Sequence, residues 1–138
     1  VRTTYAMLPH ENVRAISILD RYLEHQRVYM FGKGQERKVF MSSADLMERN
    51  LDWRVEVAYP IYDDELKRQI SEMMVLQVSD DCKARILDET QSNEYVAAGG
   101  GTVRAQYATH DYLWNLYRSH QTLEQQELLP TAEARRNA

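Results

Sequence analysis

The feature that narrows the fold most is a pair of short β-rich runs, Arg27 to Phe31 and Arg37 to Met41, separated by Gly32-Lys33-Gly34-Gln35-Glu36. A glycine-bearing connection of that length is a hairpin loop, and a hairpin pairs its strands antiparallel. The second strand therefore returns to where the first began. His25 and Arg27, at the entry to the first strand, come to lie beside Ser42-Ser43-Ala44-Asp45, at the exit from the second.

Around this hairpin the pattern alternates between strand and helix signals. Val1 to Ala6 is rich in β-branched and aromatic residues with no turn before it, as in a strand entered part-way. Glu11 and Asn12 offer helix start signals, and Val13, Ile16, Leu19, Tyr22 and Leu23 recur at helical spacing, which predicts a helix ending near Glu24. Ser42 to Asp45 closes the second hairpin strand and opens a polar turn or helix start. Arg54 to Ile61 reads as a strand with Val55, Val57 and Tyr59 on one face, stopped by Pro60 and an Asp63-Asp64 cap. Leu66, Ile70, Met73, Met74 and Val78 form one apolar stripe over 64–78, a helix whose methionines fill core. Residues 82–87 suit a short strand. Ala97 to Gly101 lacks the Lys-Ser/Thr of a phosphate-binding loop and serves as a connection. Val103, Tyr107, Trp114 and Tyr117 predict a last helix with an aromatic docking face, and the tail from 121 to 138 is polar and frayed.

A chain of 138 residues can bury about two thirds of its unfolded surface, which favours one domain, here 1–120. Hydrophobic residues at 43% and charged residues at 28% are those of a globular protein. No apolar run approaches the ~18 residues of a membrane span, and no signal peptide opens the chain, so a cytoplasmic location is expected, with membrane association left open. Seventeen Lys and Arg against twenty-one Asp and Glu give a net charge of −4, which argues against a nucleic-acid surface and leaves room only for a local basic pocket. Cys82 is the sole cysteine and suits a structural position; His10, His25, His110 and His120 have no metal-ligand spacing, so no metal site is expected here.

The chemistry concentrates at the end of the hairpin opposite its loop. Arg27, Arg49 and Arg54 carry planar guanidinium groups suited to phosphate oxygens, and Ser42, Ser43 and Asn50 add neutral hydrogen-bonding groups. Glu48, Asp52 and Glu56 lie close in sequence and offer Arg49 and Arg54 an ion-paired role instead. A histidine in such a setting can move a proton near neutral pH.

His25-x-Arg27 followed by Ser42-Ser43-x-Asp45 resembles the phospholipase D half-site, His-x-Lys followed by Gly-Ser-x-Asn. Arginine stands for lysine, serine for glycine and aspartate for asparagine, which makes a plain phosphodiesterase the weaker match. The longer similarity is to bacterial polyphosphate kinase. It runs through Val1-Arg2, Ala15 to His25, Lys38 to Asp45, Arg49-Asn50-Leu51-Asp52, Arg54 to Val57, Lys83-Ala84-Arg85 and Val103 to Gln106, and covers about residues 1 to 118.

That resemblance implies the last, phospholipase-D-like domain of the family: an α/β fold with a mixed sheet flanked by helices, in a copy lacking its first elements. It implies reversible transfer of the terminal phosphate of ATP to polyphosphate, with ATP or ADP bound here and Mg2+ held mainly by a preceding domain. Arg2 matches a nucleotide-contacting arginine, and His25 matches the second of two required histidines; the phosphorylated histidine belongs to the preceding domain. The implied partners are polyphosphate, the remaining domains of the same enzyme and further copies in a homo-oligomer. The loop after Arg2 is shorter than the family pattern, and Leu46 stands in place of the usual tryptophan. Two other functions remain open: a non-catalytic polyphosphate-binding and dimerisation module, or a phospholipase-D-type diesterase.

Overall fold

A computed structural model describes residues 14–97 and 100–127. Its contacts divide into two compact units: residues 20–75, and the described residues among 1–19 and 76–138. Arg2, His10 and the strand expected at Val1 to Ala6 lie outside the described residues, as do Ala98, Gly99 and residues 128–138.

The unit of residues 20–75 is built on the hairpin. Strands β2 (Val28–Phe31) and β3 (Lys38–Ser42) pair antiparallel, with Val28 opposite Met41 and Phe31 opposite Lys38. The connection holds a short 3₁₀ turn at Gly34–Glu36, and Gly32 enters it at φ +83°, a conformation that glycine adopts without a Cβ penalty. A third strand, β4 (Ala58–Ile61), pairs antiparallel on the other side of β3, with Val39 opposite Ile61 and Ser42 opposite Ala58. The strand expected over Arg54 to Ile61 is thus shorter: its pairing ends with β3, and Val55 is fully exposed. Pro60 does not stop the strand but lies within it. It is tolerated because β4 is an edge and needs no N–H there. Residues directly opposite in a sheet share a face, so Met30, Val39 and Ile61 point the same way. Val39 is 1% exposed and centres that face. Phe31 and Phe40 meet edge to face across the other, ring centroids 6.1 Å apart.

Helix α1 (Glu48–Trp53) follows β3, and helix α2 (Asp64–Val78) follows β4 with the bounds its apolar stripe predicts. The Asp63 carboxylate accepts the Leu66 N–H at 2.8 Å, which is the expected cap. Ser71, nearly buried, donates to the Lys67 carbonyl and touches Met30 Sδ at 3.6 Å, which sets α2 against the Val39 face.

In the other unit, Ile16–Ile18 form strand β1, not the middle of a helix. They pair antiparallel with β5 (Ala84–Ile86), whose existence the 82–87 pattern predicts. The physical reason is that two β-branched isoleucines alternating around Ser17 find a partner strand far along the chain. The supposed helical stripe buries little: Leu19, Tyr22 and Leu23 are exposed. The expected α/β fold of sheet and flanking helices is present, with the strand pairings among the described residues all antiparallel and divided between two small sheets. Helix α3 spans Ala105–Glu127, well past the expected end near Tyr117 and into the supposed frayed tail.

Asp80 ties this unit together. Its side chain is 1% exposed and accepts four backbone N–H groups: Cys82, Lys83 and Ala84 on Oδ1, and Ala105, the first residue of α3, on Oδ2 at 2.7 Å. Asp81 beside it accepts the Val103 N–H at 2.7 Å. Gly101 passes so close that a Cβ there would meet the Asp81 backbone at 2.3 Å, so only glycine fits.

Candidate functional site

The hairpin ladder continues one step past β2: the Ser42 N–H donates to the Arg27 carbonyl at 2.9 Å. That bond fixes the start of one strand against the end of the other, as the loop length dictates. The chain then turns at Ser43, whose N–H donates to the Val57 carbonyl at 3.0 Å, and enters α1.

Two carboxylates organise the resulting corner. Asp45 Oδ1 accepts the Arg27 Nε–H at 2.7 Å, and the same guanidinium donates through Nη1 to the His25 carbonyl at 2.7 Å. The Arg27 hydrogen bond, and then the charges of Arg27, Arg49 and His25, hold the Asp45 carboxyl below its usual range against the opposing effect of burial. Glu56 is the second. Ser43 Oγ donates to its Oε2, and Asn50 Nδ2 donates to its Oε1 at 2.8 Å. Those two bonds, then the charges of Arg54 and Arg27, lower the Glu56 pKa.

The structure therefore gathers His25, Arg27, Ser43, Asp45, Arg49, Asn50, Arg54 and Glu56 in one unit, at the open end of the hairpin ladder, opposite its loop. Their states differ. His25, Arg49 and Arg54 are exposed, and Arg49 and Arg54 make no side-chain hydrogen bond or ion pair among the described residues. The ion-paired role that Glu48, Asp52 and Glu56 could have given them is not taken up at contact distance. Ser43 has one hydroxyl hydrogen, committed to Glu56, while its oxygen accepts the Val57 N–H at 3.0 Å. Asn50 is 2% exposed, with its Oδ1 buried and unpartnered among the described residues, so it supports α1 and does not face solvent.

Glu56 is the residue that sequence reasoning missed as a site member. The pairing of β3 with β4 brings it there: Ser42 opposite Ala58 puts Ser43 opposite Val57, one residue from Glu56. Elsewhere, Cys82 is half-buried, and burial together with the Asp81 charge pushes its thiol up, opposite to what a nucleophile needs. No three His, Cys, Asp or Glu converge among the described residues. No described helix is long and apolar enough to cross a membrane.

A sequence profile described as polyphosphate kinase C-terminal domain 2 matches residues 3–106. Polyphosphate kinase from Escherichia coli strain K12 is 47% identical over 122 residues, covering 84% of this chain and 18% of that protein. The Salmonella typhimurium polyphosphate kinase is 50% identical over 107 residues, covering 77% of this chain and 16% of that protein. A crystal structure of polyphosphate kinase from Porphyromonas gingivalis superposes with a TM-score of 0.74 at 38% identity, over 79% of this chain and 17% of that one. The chain thus spans less than a fifth of the length of these relatives.

Proposed function

The chain belongs to the polyphosphate kinase C-terminal domain 2 family, and from that premise we propose that it supplies one half of the phosphoryl-transfer site of a polyphosphate kinase. The complete enzyme reversibly moves the terminal phosphate of ATP to polyphosphate through a phosphohistidine in a preceding domain. His25 moves a proton or contacts the nucleotide phosphates beside that centre. The exposed guanidinium groups of Arg49 and Arg54 offset phosphoryl charge. ATP or ADP and polyphosphate are the substrates, and Mg2+ is held chiefly outside this chain.

The observation that carries this proposal is that Arg27 ties the exposed His25 to Asp45, with Arg49 and Arg54 exposed and in no side-chain hydrogen bond or ion pair among the described residues. An acidic chain otherwise offers a polyanion little, so the local arginines must supply the attraction. The test is His25→Ala in the full-length enzyme, where ATP formation from polyphosphate and ADP should fall by roughly a hundredfold or more. Near-normal turnover overturns the assignment.

A further inference from the structure

Arg27 was expected to bind phosphate, yet two of the five N–H donors of a guanidinium are already engaged within the chain. Nε–H is given to Asp45 and an Nη1–H to the His25 carbonyl, both at 2.7 Å. The side-on fork of a guanidinium, Nε–H with a neighbouring Nη–H, is the geometry that grips two oxygens of one anion; here its Nε arm is taken by a carboxylate of the same chain. The pair is also charge-neutral, whereas Arg49 and Arg54 carry charge without a contact partner among the described residues.

The contacts form a continuous line. Asp45 leaves β3 just after Ser42, whose N–H is bonded to the Arg27 carbonyl; Arg27 returns through its side chain to Asp45 and to His25. The segment that carries His25, residues 19–27, has no strand or helix of its own to hold it. We infer that Asp45 and Arg27 are a positioning pair for His25, and that Arg27 acts on the reaction by fixing the His25 backbone, not by contacting phosphate.

This inference rests on the proposed role of His25, and the two can fail separately. In the full-length enzyme, kcat and the KM for polyphosphate are measured at two salt concentrations for Arg27→Ala, Asp45→Asn, the double variant and His25→Ala. Positioning predicts that Arg27→Ala and Asp45→Asn each lower kcat by about 10- to 100-fold while the KM for polyphosphate stays within about twofold. It also predicts that the double variant is no worse than the poorer single one, because both act through one contact. A phosphate-binding Arg27 restrained by Asp45 predicts the opposite sign: Asp45→Asn frees a cation and lowers the KM, and Arg27→Ala raises it in a salt-sensitive way. That outcome overturns the inference, as does normal kcat in folded Asp45→Asn. If either single variant loses its fold by circular dichroism, the other carries the same test. An active His25→Ala removes the functional proposal itself, whereas an inactive His25→Ala with an unaffected Asp45→Asn removes only the positioning pair.

Discussion

Asp80 and Asp45 present the same side chain in two different settings. Asp80 is buried and satisfied by four backbone N–H groups from the start of β5 and the start of α3. Asp45 is partly exposed and satisfied by one arginine side chain, which itself leads to His25. Backbone donors cannot be moved or exchanged without moving the chain, so Asp80 holds the fold. Side-chain donors can be altered singly, so Asp45 belongs to an adjustable site. Neither segment has local propensity that would explain its carboxylate; in each case the partners do.

The largest effect expected from that contrast is on stability. Asp80→Ala strands four backbone donors in a buried place and should lower the unfolding free energy by roughly 3–5 kcal/mol. Denaturant unfolding checks it, and a loss below about 1 kcal/mol would put Asp80 outside the framework. Arg49→Ala should do the reverse: unfolding unchanged, but the KM of the full-length enzyme for polyphosphate raised several-fold, with the gap closing as salt is added. If Arg49→Ala destabilises the chain instead, the division between framework and site fails.

The smallest effect is on acid stability. Asp45 and Glu56 both have folded pKa values below their ordinary ones, lowered chiefly by Arg27 for Asp45 and by Ser43 and Asn50 for Glu56. Their contribution is therefore fully present above the unfolded values, about 3.9 for Asp and 4.3 for Glu, and is lost as pH falls through the folded ones. Both side chains are solvent-accessible, so the effect is modest and shrinks with salt. An acid unfolding curve of Asp45→Asn should be flatter than that of the parent below about pH 4, and an unchanged curve would mean that Asp45 keeps its ordinary pKa.

What could be seen in the sequence depended on how local the cause was. The hairpin was legible because its loop carries its own glycines, and α2 because Asp63 and a stripe over 64–78 lie within a few turns. Ile16–Ile18 was not, because three residues become a strand only by meeting Ala84–Ile86, and their spacing equally suits a helix. Asp80 was overlooked for a similar reason: one of its donors, Ala105, is 25 residues away. At the site, residue types and hairpin geometry brought His25, Arg27 and Ser42–Asp45 together correctly. They did not reveal that Arg27 is already engaged by Asp45, or that Glu56 holds Ser43 and Asn50. Those facts depend on which hydrogen atoms remain free once the corner has closed.

The central claim, that the phosphate-binding corner is the one around His25 and that the Asp80 junction serves the fold, is tested most directly by titrating short-chain polyphosphate into the isotope-labelled chain at low and high salt while following backbone amide signals. The account predicts salt-sensitive shifts at His25, Arg49, Asn50 and Arg54, and none at Asp80, Ala84 or Ala105. Shifts centred on the Asp80 junction, or binding that leaves the His25 corner unmoved, would contradict it.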